Sequence, residues 1–458
     1  MSQLNSQSDF LKGFTHENDI FKRVNFYQSL LKIIINSPEK NLVFALDDRW
    51  GQGKTSFVKM MHGEINKDPE SNLNVIYFDA YENDYYSDPF IPIVAEFHAL
   101  FSEPNSKLNA YKDSFLSVSK RVGAAALIGT LKAVITTSTA SIVDGGKVID
   151  AAVDAAKSTS DDLTNSLQAY VEKKITAAKE EKADIATFKK TLSDIHEKSG
   201  KKTIFIIDEL DRAKPDFSLD LLEKIKHLFS VEGVIFILVM NKGQFEKCIE
   251  KRYGSIDSKL YLNKFINYFI TLPKTKNSDI DINDPTIKTT IYNYIRVMPE
   301  ANKLFDIGSV IHISLSYLIE INNCSLREAE RCISLMNLFS NKSGKIEYNM
   351  TYSVALSMMI FLKVYDPTLL ENFLAKKDQA GFILRQLQLE SAQELIPSTA
   401  KIHSIMQNLI KFHYYTRSEV ETNIKRITET LRDLLAHSHY PSNPFLYFKD
   451  SFDKFSIE

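Results

Sequence analysis

Leu-Val-Phe-Ala-Leu-Asp-Asp-Arg-Trp-Gly-Gln-Gly-Lys-Thr-Ser-Phe-Val, residues Leu42–Val58, sets three things in a row: an apolar run, a glycine-rich turn and the start of a helix. Leu42–Leu46 has the texture of a buried strand. Gly51 and Gly53 let backbone N–H groups turn inward and come close to phosphate oxygens, and a helix N-terminus adds a positive dipole end. Lys54 is placed to reach the β/γ-phosphates and the Thr55 hydroxyl to sit on Mg²⁺, which makes the stretch a candidate phosphate-binding loop. One position departs from the pattern G-x-x-x-x-G-K-[ST]. With Gly53 as its second glycine, the first falls on Asp48. A carboxylate there repels phosphate unless it points away or pairs, with Arg49 the nearest cation. The competing reading of this stretch alone is a chance Gly-Lys-Thr at a helix start.

A second stretch weighs against chance. Thr203–Leu210 reads Thr-Ile-Phe-Ile-Ile-Asp-Glu-Leu, followed by Asp211 and Arg212. An apolar run ending in two adjacent acids is what a parallel strand buried on both faces looks like. In P-loop ATPases the acid at such a strand end orients the Mg²⁺ water shell, and the next can polarise the attacking water. Asp208 is the metal-side candidate and Glu209 the general-base candidate. A buried strand with a solvated acidic turn is the plainer alternative for this motif by itself.

Trp50-Gly51-Gln52-Gly53-Lys54-Thr55-Ser56 and Asp208-Glu209-Leu210-Asp211-Arg212 together resemble the KAP family of P-loop NTPases, with its Walker A and Walker B order. Tyr77-Phe78-Asp79-Ala80-Tyr81 resembles that family's strand after the loop helix. Val234–Asn241 resembles its next core strand, and Tyr261–Ile266 running to Leu272-Pro273 its closing segment. The resemblance covers about residues 15–340. Asp48 stands where the family usually has Gly, and Glu209 where it often has Asp. The resemblance implies an α/β fold: a P-loop NTPase core with a parallel sheet of the additional-strand, AAA/STAND-like type, a large helical insertion and a C-terminal α-helical lid or bundle.

Composition is compatible with this. At 458 residues the chain can bury two or three cores. A formal net charge of −2 gives no global pull toward nucleic acid or anionic lipid, and no nucleic-acid-binding signature stands out, so nucleic acid stays open as a partner. Cys248, Cys324 and Cys332 form no C-x-x-C pair, which fits a reducing compartment. Met1–Phe10 is polar and lacks a signal-peptide core, so the expected location is cytoplasmic.

The expected domains are 1–104, the first part of the core; 105–200, a helical insertion; 201–280, the second part of the core; 281–345, a helical lid; and 346–458, a C-terminal helical region. Residues 1–14 read as a loose tail and Phe21–Ile35 as a helix. The loop helix is expected to stop near Gly63. Asp79, Glu82, Asp84 and Asp88 lack EF-hand spacing and read as a polar rim near the nucleotide. Lys54 and Asp208 lie 154 positions apart, more than a bare core needs, hence the insertion. Within it, Val122–Val143 is the one stretch to test for membrane contact, but its threonines, serines and Lys132 disfavour spanning. Lys147–Lys198 reads as helical, either an αα-hairpin on the core or an arm toward a partner. Ile266–Leu272 reads as the last strand. His437 and His439 have no further ligands near them in sequence, so no metal site is expected there.

Asn241, at the end of the Val234–Asn241 strand, is a candidate γ-phosphate sensor, or else an ordinary strand-end Asn. The resemblance implies a lid arginine, and Ser325-Leu326-Arg327-Glu328 places Arg327 as that candidate, against a plain ion pair with Glu328 or Glu330. Trp50, Gly51, Gln52, Gly53, Lys54, Thr55 and Ser56 are the expected ATP-binding set, with Thr55 and Asp208 on Mg²⁺. Lys54, Glu209, Asn241 and Arg327 are the expected catalytic set. Three functions compete: an ATPase acting as a nucleotide-dependent switch, a non-hydrolysing nucleotide-binding scaffold, and a small-molecule kinase. The resemblance to bacterial, phage and plasmid members implies antiphage defence or phage exclusion. The partners it suggests are further copies of the chain, one of which could supply an arginine, or an effector protein.

Overall fold

Apolar runs become parallel strands. In the computed structural model, which describes residues 9–37, 42–68, 72–102, 107–123, 160–274, 289–340, 345–390, 397–414 and 443–453, the strands are β1 (Leu42–Asp47), β2 (Leu73–Asp79), β3 (Lys202–Asp208), β4 (Val234–Met240) and β5 (Tyr268–Ile270). Their order across the sheet is β2-β3-β4-β1-β5, and every pairing is parallel. β4 thus lies between the loop strand β1 and the acidic strand β3, which is the additional-strand arrangement. The edge strand β5 is shorter than the sequence suggests. It pairs only with β1, through Phe44, Ala45 and Leu46, and Tyr268 is exposed.

Both faces of the sheet are covered, which is why the strands read as unbroken apolar runs. Successive side chains go to opposite sides. Phe44, Leu46, Ile204, Ile206, Ile237 and Val239 join a core with Phe57, Met61 and Ile34. Ala45, Phe78, Phe205, Ile207, Phe236 and Leu238 join the other core, built on Phe90, Phe97, Phe188 and Phe229.

Contacts divide the chain into two units. One comprises Met1–Asn18, Val24–Asp48 and Lys54–Leu272; the other comprises Asp19–Arg23, Arg49–Gly53 and Pro273–Glu458. In the sheet unit, Ser160–Ser199 is one unbroken helix of 40 residues whose Phe188, Leu192 and Ile195 are buried. Residues 147–159 lie outside the described residues. So do 124–143 of the stretch considered for membrane contact, and His437 and His439. No helix among the described residues is long and apolar enough to cross a membrane.

Two local readings need correction. Residues 9–14 are not a loose tail. Phe10–Lys12 is a 3₁₀ turn, the Phe14 N–H donates to Glu64 at 3.1 Å, and the Phe14 ring stacks on Tyr27 at 4.9 Å. Nor does Gly63 end the loop helix, which runs through Lys54–Asn66. A Cβ at Gly63 would lie 2.1 Å from the Leu11 carbonyl oxygen, so glycine is there to let the N-terminal segment approach.

The helical unit is organised around Met350–Tyr365, in which every residue from Thr351 to Leu362 is buried. A helix apolar on all sides belongs at a core's centre. This helix and others of the unit start on side-chain caps: Thr289 on Tyr292 N–H, Ser309 on His312 N–H, Asn349 on Tyr352 N–H and Asp366 on Leu369 N–H.

Candidate functional site: a phosphate loop and an acidic strand end

β1 ends at Asp47 and the loop helix starts at Lys54. Between them Gly51 and Gly53 have φ of 75° and 79°, values that favour glycine. The β1–β4 ladder continues one step past the strand, with Asp48 N–H donating to the Met240 carbonyl at 3.3 Å. Asp47 accepts from the Lys242 N–H at 2.9 Å. Lys54 is buried, and its Nζ donates to the Asp48 carbonyl oxygen at 2.5 Å. Burial lowers its pKa, opposed by Asp211, Asp48, Asp47 and Asp208, which favour the ammonium form.

Across the sheet, β3 ends at Asp208 and Glu209 follows it. Asp208 is 1% exposed. Its Oδ2 accepts from the Tyr77 hydroxyl at 2.9 Å and its Oδ1 from the Glu209 N–H at 2.9 Å. Burial nonetheless raises its pKa, while hydrogen bonds from Tyr77, Thr55 and the Glu209 backbone pull it down. The Thr55 hydroxyl also lies 3.4 Å from Glu209 Oε1. Glu209 is raised by burial and then by Asp208, with Arg212 opposing. The Arg212 Nε is 2.5 Å from Glu209 Oε2. Glu209 itself sits at φ 56°, in the left-handed region that non-glycine residues avoid. Such strain collects at functional sites.

Lys54, Thr55, Asp208 and Glu209 are therefore neighbours in one unit. Thr55 and Asp208 fit a hydrated Mg²⁺: a hydroxyl and a buried carboxylate share a hydrogen bond beside the phosphate loop. Among the described residues no cluster of three or more His, Cys, Asp or Glu forms an all-protein metal cage. Asn241 acts as the N-cap of the next helix, Lys242–Tyr253, accepting from Gln244 N–H at 3.4 Å. Ser56 follows in the loop helix, half-buried.

Of the acids at and after the end of β2, Asp79 and Asp88 serve their own turns, while Asp84 reaches a distant backbone group. Asp79 accepts from the N–H groups of Tyr81 and Glu82, Asp84 from that of Lys214 and Asp88 from that of Phe90. Asp79 pairs in register with Asp208 on the adjacent strand.

The loop tip, Arg49–Gly53, belongs to the helical unit, where residues 323–327 hold it. Arg49 donates to the Asn323 carbonyl at 3.2 Å and the Gln52 amide to that of Cys324 at 3.5 Å, while the Leu326 N–H donates to the Gly51 carbonyl at 3.0 Å. Ser325 and Glu328 form a capping box on the helix Leu326–Met336. Glu328 is thus engaged at the cap, and Glu330 accepts from the Tyr294 hydroxyl. Arg327 sits against the loop: a Cβ added at Gly51 would lie 2.9 Å from its Cβ. Trp50 is 42% exposed. Sequence reasoning missed Arg23 and Tyr77 as site residues. Arg23 carries no motif, and Tyr77 reads only as strand.

The model of the KAP family P-loop domain matches residues 23–342. Among solved structures, the Aeropyrum pernix ORC2 protein in its ADPNP–ADP complexes is similar at 10% identity, covering 85% of this chain and 94% of that one, with a TM-score of 0.37. No curated protein matches the chain.

Proposed function

This chain belongs to the KAP family of P-loop domain proteins, and we propose that it is a Mg²⁺-dependent ATPase that works as a switch. The observation that carries the reading is the meeting of Thr55 with Asp208 and Glu209, residues more than 150 positions apart. Loop N–H groups and Lys54 hold the phosphates. Thr55 and Asp208 are the residues that would hold Mg²⁺, and the ion would supply charge neutralisation for the phosphates. Glu209 takes a proton from water as its oxygen attacks the γ-phosphorus. The bond to the ADP oxygen breaks and phosphate leaves. Arg327, or an arginine of a second copy, completes the charge compensation. Asn241 would exchange its cap for the γ-phosphate.

A switch needs a part that registers the nucleotide. The loop tip's membership of the helical unit supports that role for residues 323–327. Antiphage defence through a partner effector is the cellular setting we propose, on family resemblance. The test is phosphate release with ATP and Mg²⁺ and no added acceptor, for the parent protein, Lys54→Ala and Glu209→Gln. Release lost in both variants supports the switch ATPase. ADP formed only with an acceptor, the γ-phosphoryl group passing to that acceptor and no free phosphate appearing, would make the protein a kinase. ATP bound through Lys54 without any release would make it a scaffold.

A further inference from the structure

We infer that Arg23 is a positioning residue for the phosphate loop, holding the carbonyls of Gln52 and Gly53 so that the amides behind them face the phosphates. The inference rests on the nucleotide reading of that loop. Arg23 is 1% exposed, and lies 29 and 30 positions before the residues it touches. Its Nη2 donates to the Gln52 carbonyl at 3.4 Å and its Nη1 to the Gly53 carbonyl at 3.5 Å. The guanidinium lies over the Phe21 ring, 4.5 Å from its centroid, and Phe21 packs 5.8 Å from Tyr294. Tyr294 in turn donates to Glu330 on the lid helix. The Arg23 N–H donates to Asp19 at 2.7 Å, fixing the backbone that carries the side chain.

The consequence follows from peptide geometry. All peptide bonds described here are trans. A trans peptide points its C=O and its N–H to opposite sides. With the Gln52 and Gly53 carbonyls turned to Arg23, the N–H groups of Gly53 and Lys54 face away from it. The Leu326 N–H does the same for the peptide before them, since it holds the Gly51 carbonyl and so turns the Gln52 N–H. Three consecutive amides are thereby aimed by tethers on their carbonyls. Successive N–H groups turned to one side make an anion nest, and a nest shaped in advance loses less freedom when the anion arrives. A Cβ at Gly53 would come within 3.1 Å of Arg23 Nη1, so the glycine also makes room for this contact.

The full chain can be tested directly, because Trp50 is its one tryptophan and lies in the same loop. Arg23→Met and Arg23→Lys are compared with the parent by acrylamide quenching of Trp50 without nucleotide, by Mg²⁺·ATP titration and by melting temperature. Arg23→Met is expected to raise quenching about two-fold and weaken ATP binding roughly 10- to 100-fold, the range of a lost charge-assisted contact. Arg23→Lys should fall between, because an ammonium cannot fork onto two carbonyls as guanidinium does. Unchanged quenching and unchanged affinity in Arg23→Met would overturn the inference. If the parent binds no ATP, the nucleotide reading fails separately and quenching alone decides Arg23: raised quenching supports the tether and unchanged quenching overturns it. If Arg23→Met does not fold, Arg23→Lys decides. Weaker binding at parent-like melting supports the inference, and parent-like binding overturns it.

Discussion

The loop after β1 and the turn after β3 both bend sharply at left-handed backbone positions, but they use opposite residues to do so. After β1 the positions are Gly51 and Gly53; after β3 the position is Glu209, at φ 56°. Where backbone must come close to a ligand, a side chain is an obstacle, and glycine stands there. Where the side chain is itself the proposed reagent, it stays and the strain is carried, anchored by Arg212 and Thr55. The loop is tethered from outside, through its carbonyls; the acidic turn is held by its own side chain.

The largest expected effect tests the acidic turn. Glu209→Gln keeps size and backbone but cannot take a proton, so turnover should fall about 10²- to 10⁴-fold with ATP binding retained. Single-turnover kinetics with a parallel binding titration would check it. Gly51→Ala comes next. Its Cβ would lie 2.9 Å from Arg327 Cβ and Ser325 Oγ, at a φ that resists any side chain. A loss of about 1–3 kcal/mol in thermal or urea unfolding is expected, with weaker ATP binding. Tyr77→Phe should have a smaller effect. It removes one donor from Asp208, about 1 kcal/mol, and lets the carboxyl rise further.

The sign of the pH dependence follows from the acids. Asp208 and Glu209 are both raised, so lowering the pH protonates them above the ordinary carboxylate range. Mg²⁺·ATP affinity should therefore decline earlier on acidification in Tyr77→Phe than in the parent, as titrations across a pH series would show. The smallest effect on stability is the most diagnostic of the contrast. Glu209→Gly should abolish turnover yet leave stability unchanged or raise it by up to about 1 kcal/mol, because the strain is relieved as the side-chain contacts are lost. A destabilisation as large as that of Gly51→Ala would mean that the two turns are not built differently.

The sheet was legible because burial on both faces writes continuous apolar runs such as Ile204–Ile207 and Ile235–Val239 into the sequence. The family was legible because Gly51, Gly53, Lys54 and Thr55 precede Asp208 and Glu209 in the right order. Other features depend on contacts between distant positions. Gly63 has the look of a helix stop, and only the Leu11 backbone beside it explains why a glycine is there. Arg23 has no periodicity or motif to distinguish it from a surface cation. Asn241 shows its helix cap only once Gln244 is placed. The capping box of Ser325 and Glu328, and the loop contact through Leu326, appear only once the helix Leu326–Met336 is placed; the sequence marks this stretch only as a lid signature.

Every role proposed for these residues requires the loop to bind a nucleotide. Calorimetric titration of the parent and Lys54→Ala with ATP in the presence of Mg²⁺ tests this most directly. Saturable one-site binding in the parent that is lost in Lys54→Ala is the predicted result. Heat that is absent in both, or equal in both, would contradict it.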